Sequence, residues 1–223
     1  MLDLAVFLGN PGDEYERNRH NAGRLLVKKL PFYNDLAWKK KFKSRYASLE
    51  RTAGSAFSPA GNLPPLHLLM PETYMNLSGR AVRAAASFFK IPPRGIIAVH
   101  DELELPPGTV SLKYGGGMGG HNGLRSMKAE LGTADFWRLR IGIGRPPGRL
   151  PGEGGPPGSG GDVAGWVLSD FSEKDILEGS LTAAAELLVR AFAEEPESLL
   201  PEWKKKTVSR GNPGIDPNRS GLS

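Results

Sequence analysis

Short apolar runs of strand length recur along this chain, and polar clusters or glycines follow them at once. Residues 4–9 end in Gly9-Asn10-Pro11-Gly12, residues 66–70 lead to Thr73-Tyr74-Met75-Asn76, and residues 95–100 deliver His100-Asp101-Glu102. Arg19-His20-Asn21 and Gly119-Gly120-His121-Asn122 are two further clusters of the same kind. Runs that are short, apolar and bounded by turn residues read as buried strands. In open α/β sheets ligands bind where the carboxyl ends of strands converge, so polar groups scattered in sequence can meet in one site. No cysteine or serine elbow accompanies these clusters, which points to water as the attacking group.

The segments between the runs carry the helical period. Residues 21–30 read as a helix capped by Asn21 and stopped by Pro31, and residues 76–90 place Leu77, Ala81, Val82, Ala85, Phe88 and Phe89 on one face. Helices are also expected at 122–131 and in a long amphipathic stretch from 171 onward, with strands at 42–49, 110–114 and 138–144. The fold class is α/β in a single domain over residues 1–204. Residues 146–161 are mostly glycine and proline, so they are expected to form a mobile loop. Residues 205–223, polar and basic, are expected to be a disordered tail.

Composition narrows the function. A chain of 223 residues, 39% of them hydrophobic, has enough apolar material for a substantial core. No apolar run approaches the roughly 20 residues that span a bilayer, and no basic leader precedes an apolar stretch, so a cytoplasmic protein without membrane contact is expected. The absence of cysteine removes disulfides, thiolate metal sites and cysteine nucleophiles together. Charge is uneven: between Arg17 and Arg45 ten lysines and arginines face Asp35 alone, a net +9 within a chain of net +5. Such concentration favours a polyanion partner, against the simpler reading of a solvated basic face.

His20 is the leading general base, because imidazole titrates near pH 6.5 and accepts a proton from water near neutrality. Asp101, at the end of a predicted strand, has two readings: it orients the far nitrogen of His20, or it opens the turn completed by Pro106-Pro107-Gly108. Asn10, Asn76 and Asn122 offer donors and acceptors that do not titrate, suited to amides, ribose hydroxyls or a developing oxyanion. The glycine run 115–120 ahead of a helix has the makings of an anion nest, but no Lys-Ser/Thr follows it as in a P-loop. His100, Asp101, Glu102 and Glu104 match no metal motif of known ligand geometry, so no metal and no cofactor is expected.

Taken together, Gly9-Asn10-Pro11-Gly12, Arg19-His20-Asn21-Ala22-Gly23, Thr73-Tyr74-Met75-Asn76-Leu77-Ser78-Gly79, His100-Asp101-Glu102-Leu103, Gly119-Gly120-His121-Asn122-Gly123-Leu124 and Arg138-Leu139-Arg140-Ile141-Gly142-Ile143-Gly144 closely resemble the bacterial peptidyl-tRNA hydrolase family, in order and in spacing, over residues 4–200. The resemblance implies a twisted mixed β-sheet flanked by helices, and metal-independent cleavage of the ester joining a peptide to the terminal ribose of tRNA. It assigns His20 as base and Asp101 as its partner. Substrate binding falls by the same resemblance on Asn10, Tyr15, Met75, Asn76, His121 and Asn122, and tRNA binding on Lys113 and Arg140. It further implies a monomer with peptidyl-tRNA as partner, and a lid at the 146–161 insertion. Asn18, Met118 and Ser111 depart from the threonine, histidine and lysine common in the family. The alternative is a noncatalytic RNA-binding relative, which would have no need of His20, Asp101 and the three asparagines together.

Overall fold

The computed structural model describes residues 1–54, 61, 63–146, 162–172 and 174–208. Leu4, Ala5, Val6 and Phe7 form the first strand, β1 (Leu4–Phe7), buried on both faces. A 3₁₀ turn at Arg19–Asn21 leads into α1 (Ala22–Val27). Two strands follow, β2 (Lys39–Lys41) and β3 (Ser44–Arg51), and then β4 (Leu63–Pro71). The 3₁₀ turn Met75–Leu77 enters α2 (Ser78–Phe89), which precedes β5 (Ile96–Glu102) and β6 (Thr109–Tyr114). The chain continues through α3 (Asn122–Leu131), β7 (Trp137–Gly142), α4 (Val163–Leu168), α5 (Lys174–Ala193), α6 (Pro196–Trp203) and β8 (Lys206–Thr207).

The eight strands make one mixed sheet in the order β2-β3-β4-β1-β5-β7-β6-β8. Its centre is parallel, with β1 between β4 and β5, and β7 beyond β5. Antiparallel pairs flank this centre: β2 with β3, β3 with β4, β6 with β7, and β6 with β8. Parallel strands need helices on both faces, and alternate side chains supply two cores. Ala5, Phe7, Ile97 and Val99 pack with α1 and α5, whereas Leu4, Val6, Ile96 and Ala98 pack with α2 and α3. Gly23 and Gly79 set how closely these helices approach. A Cβ at Gly23 would meet the Val99 carbonyl oxygen at 2.4 Å, and one at Gly79 the Ser126 carbonyl oxygen at 2.1 Å. Among the described residues, no helix is long and apolar enough to cross a membrane.

The α/β single domain read from the sequence is the architecture seen. Two strands lie outside the sequence-based expectations. Lys39–Lys41 pairs with Ser44–Tyr46 as an edge strand, and consecutive lysines carry little apolar signal to betray it. Lys206 and Thr207, within the segment expected as a disordered tail, pair with Val110 and Thr109 and cover what would otherwise be the open edge of β6. The first helix is shorter than residues 21–30, and Asn21 makes no side-chain cap at its start. Except for Pro146, the segment 146–161 expected as a mobile lid lies outside the described residues, as does the tail from residue 209 onward.

Candidate active site

The carboxyl ends of β1, β4 and β5 open onto a cavity of about 750 Å³ lined by Asn10, His20, Met75, Asn76, Asp101 and His121 among others. They arrive from five different parts of the chain. Asn10 follows β1, His20 sits in the 3₁₀ turn before α1, Met75 and Asn76 in the turn before α2, Asp101 near the end of β5, and His121 caps α3. Asn122, the first residue of α3, lines the same cavity. Seven of the eight catalytic and substrate residues expected from the sequence line it. The exception is Tyr15, which closes the 3₁₀ turn Asp13–Tyr15 and is absent from the cavity lining.

Asp101 organises the site. Its Oδ1 accepts from His20 Nδ1 at 2.9 Å and from His121 Nε2 at 3.0 Å. An ionised carboxylate only accepts, so both facing nitrogens carry hydrogen. His20 Nε2 is thereby left as a bare acceptor, with no protein hydrogen-bond partner among the described residues. The other nitrogen of His121, Nδ1, accepts from the backbone amides of Gly123 at 3.1 Å and Leu124 at 3.4 Å, so the start of α3 fixes that ring's tautomer.

The electrostatics follow from this arrangement. Burial opposes the charge on Asp101, but His121 and His20 beside it more than offset that penalty and hold its carboxyl well below the usual range. Burial likewise opposes imidazolium at His20, yet the charge and hydrogen bond of Asp101 prevail and raise its pKa above 6.5. At His100 desolvation, joined by the neighbouring His121, outweighs the charge and backbone hydrogen bond of Asp101 and holds the pKa well below the ordinary value. His100 Nδ1 donates to the Asp101 carbonyl oxygen at 2.6 Å, and its buried Nε2 has no partner among the described residues. His20, Asp101 and His121 present donor atoms within 4.8 Å of one another, a set with the composition of a cation site. In the arrangement seen, each nitrogen that faces Asp101 spends its hydrogen on the carboxylate.

Asn10 is held with unusual thoroughness, and by Asn21, whose position in the sequence suggests a helix cap instead. Asn21 Oδ1 accepts from the Asn10 backbone amide at 2.8 Å while its Nδ2 donates to the Asn10 carbonyl at 3.0 Å. The Asn10 side chain in turn accepts from the Met75 amide at 2.8 Å, which ties the turn after β4 to the turn after β1. The Asn10 Nδ2 group makes no hydrogen bond among the described residues.

Part of the cavity wall comes from α4, where Val163, Ala164, Val167 and Leu168 line it. Arg19 holds this short helix in place. Its guanidinium lies 3.8 Å from the centroid of the Trp166 ring and donates to Ser169 Oγ, while its backbone amide donates to the Ser169 carbonyl at 3.0 Å. Tyr74, exposed at the mouth, and the apolar face of α4 are site components that sequence reasoning missed. A free-standing aromatic directly before Met75-Asn76 was the available signal for Tyr74.

Lys113 and Arg140 stand apart from the cavity, on β6 and β7. Arg140 is already engaged: its Nε donates to Glu102 Oε2 at 2.9 Å and its Nη1 to Ser111 Oγ at 3.4 Å. Ser111, one of the departures from the resembled family, therefore contacts the very arginine expected to hold a phosphate.

An α/β fold that gathers a His–Asp pair and non-titrating amides at its strand ends, with no side-chain nucleophile among them, defines a hydrolase that works through activated water. The family model described as peptidyl-tRNA hydrolase matches residues 4–210, and the chain belongs to that family. It is 44% identical over 212 residues to the peptidyl-tRNA hydrolase of Treponema pallidum (strain Nichols), covering 93% of this chain and 96% of that protein. Among solved structures, the Arg119Gln mutant of the Acinetobacter baumannii enzyme superposes with a TM-score of 0.69 at 34% identity, covering 90% of this chain and 91% of the other. Peptidyl-tRNA hydrolase from Acinetobacter baumannii also superposes with a TM-score of 0.68 at 33% identity, with the same coverage.

Proposed function

We propose that this chain hydrolyses the ester between the peptide and the terminal ribose in peptidyl-tRNA, with His20 as base and Asp101 as its orienting partner. The observation that carries this is the 2.9 Å bond from His20 Nδ1 to the buried Asp101 carboxylate, which leaves Nε2 free to take a proton at the cavity wall. Water attacks the ester carbonyl carbon as His20 Nε2 removes its proton. Amide donors of Asn10, Asn76 or Asn122 stabilise the resulting oxyanion. When the tetrahedral intermediate collapses, the bond from carbon to ribose oxygen breaks, and His20 returns the proton to that oxygen. Peptide acid and tRNA with a free hydroxyl are released, and the imidazole is restored.

Asn10 and Asn76 also explain how aminoacyl-tRNA escapes. A peptide amide next to the ester offers a donor and an acceptor that a free ammonium cannot imitate, so the wrong substrate leaves buried polar groups unpaired. Recycling tRNA from stalled translation, in the cytoplasm and as a monomer, is the role consistent with this activity. The tRNA is engaged by the basic segment 17–45 together with Lys113, while Arg140 joins only if a phosphate competes with Glu102.

The deciding experiment is release of labelled N-acetyl-amino acid from N-acetyl-aminoacyl-tRNA by the wild type, by His20→Ala and in the presence of EDTA. Cleavage that survives EDTA and falls by about 10² to 10⁴ in the variant is expected from loss of a positioned base. A folded wild type that binds tRNA without cleaving it would instead identify a noncatalytic relative.

A further inference from the structure

A second cavity, of about 230 Å³, lies on the other side of Asn10, which lines both. Asn21, Arg24, Lys28, Tyr33 and Arg45 contribute to its wall. We propose that Arg24 and Arg45 form a phosphate-binding subsite here, one that grips a phosphodiester of the tRNA acceptor strand while the ester occupies the catalytic cavity. This rests on the proposed reaction and adds to it a contact distinct from Lys113 and Arg140.

The two guanidiniums come from different elements and are delivered by the fold. Arg24, on α1, runs its aliphatic stem across Gly9: a Cβ there would stand 2.4 Å from Arg24 Cδ and 2.5 Å from Cγ. The absence of a side chain at Gly9 thus lets the arginine reach over the end of β1. Its guanidinium makes one long hydrogen bond, from Nη1 to the Pro71 carbonyl at 3.4 Å. Arg45 lies on β3 opposite Met70, which also lines the cavity, and its guanidinium carbon is 5.5 Å from the Trp38 ring centroid.

Among the described residues, neither arginine has a carboxylate within ion-pair distance. The acidic residues of the lining are Asp13 and Glu16, both exposed, and Glu16 is taken by Lys28 at 2.8 Å. Burial pushes the Arg24 guanidinium below its ordinary value; Glu72 opposes this, and the like charge of Arg45 adds to it. Two cations that repel one another in a half-buried cavity are relieved by an anion between them. Arginine forks match the paired oxygens of phosphate and carboxylate alike. The substrate decides between the two: every tRNA ester carries the same acceptor phosphates, whereas only some peptides bring a carboxylate.

The test compares wild type, Arg24→Gln and Arg45→Gln on N-acetyl-aminoacyl-tRNA and on the same ester of adenosine without any phosphate. Each variant is expected to raise KM for the tRNA ester about tenfold, the loss of one charge-assisted hydrogen bond. Its kcat should change less than about twofold, and its cleavage of the adenosine ester should match wild type. The slope of log kcat/KM against log salt should also become shallower by about 0.7, as expected when one phosphate is no longer neutralised. An unchanged KM for the tRNA ester overturns the proposal. So does loss of the adenosine ester activity in both variants, which would make the arginines structural supports of the site. A KM increase confined to N-acetyl-aspartyl-tRNA and absent from N-acetyl-asparaginyl-tRNA would overturn it in favour of a peptide carboxylate. A wild type that cleaves neither ester defeats the hydrolase reading instead, and tRNA affinity of the same variants then decides the phosphate contact.

Discussion

At the scale of single residues, the site is built on one carboxylate oxygen shared by two imidazoles. Since Asp101 raises the His20 pKa, the neutral base is lost at a higher pH than in an ordinary histidine. The log of kcat/KM is therefore expected to fall with unit slope as pH decreases through a value above 6.5. An inflection at or below 6.5 would show that Asp101 does not act on His20 in this way. The same shift has a stability counterpart. A raised folded pKa contributes stability that is complete below the unfolded value near 6.5 and is lost as pH rises through the folded value. Activity and this part of stability thus change in opposite directions across one pH window. Asn21 offers a second prediction. Its amide grips both polar groups of the Asn10 backbone, so Asn21→Ala should displace Asn10 without touching the base. A kcat/KM reduced about tenfold or more, with the pH inflection unmoved, is the expected outcome. Asn10 and Asp101 were legible as polar groups at the ends of apolar runs, and His20 and Asn21 as a polar cluster ahead of a helix. Their meeting was not, because His20 and Asp101 are 81 positions apart in sequence and sequence spacing carries no measure of such a distance.

At the scale of elements, α4 is the part of the site held least by its own sequence. It is a single short helix with no buried residue, entered by an Asp162 side chain that accepts from the Gly165 amide. Isolated helices of this length are marginal in water. Its position therefore depends on tertiary anchors: Arg19 on Trp166 and Ser169, and the Trp166 indole donating to the Gly144 carbonyl at 2.9 Å. A partly desolvated cation–π contact and a charged hydrogen bond together contribute about 2 kcal/mol or more. Arg19→Ala should accelerate amide hydrogen exchange at Trp166 and Ser169 about tenfold or more, leaving the central strands protected. Unchanged exchange would mean that the contacts the variant keeps, the Arg19 backbone amide on the Ser169 carbonyl and the indole bond, are enough to hold the helix. The period of the apolar runs predicts β1, β4, β5 and α2 because burial imposes that period. It does not reveal α4, β2 or β8, whose conformations are fixed by neighbours distant in sequence. Arg140 shows the same limit: its partner Glu102 is on β5, and only the pairing of His100 with Arg140 across the strands brings them side by side.

For the whole molecule, the strand order separates the two groups of cations assigned to tRNA. Arg45 and the exposed Lys39 and Lys40 belong to the β2–β3 end of the sheet, and Lys113 to β6 near the other end. From β3 to β6 there are five strand spacings, which at 4.7–4.9 Å each come to about 24 Å. That distance exceeds two Debye lengths at physiological salt, about 8 Å each. The catalytic cavity, at the ends of β1, β4 and β5, lies between the two groups. A tRNA whose acceptor end enters this cavity can therefore meet one group on either side, and each group acts on it independently. Contacts so far apart and without shared partners are expected to be additive within about 0.5 kcal/mol. The paired substitution Lys39→Gln with Lys40→Gln, and Lys113→Gln alone, should each raise KM for N-acetyl-aminoacyl-tRNA and make its salt dependence shallower. Combining them should multiply the two increases in KM, with kcat retained. If only one set has an effect, tRNA lies toward one end of the sheet and the other basic group is a solvated face. If the combined effect greatly exceeds the product, the two ends are coupled through the bound RNA, and the sheet serves as one continuous platform instead of two independent contacts.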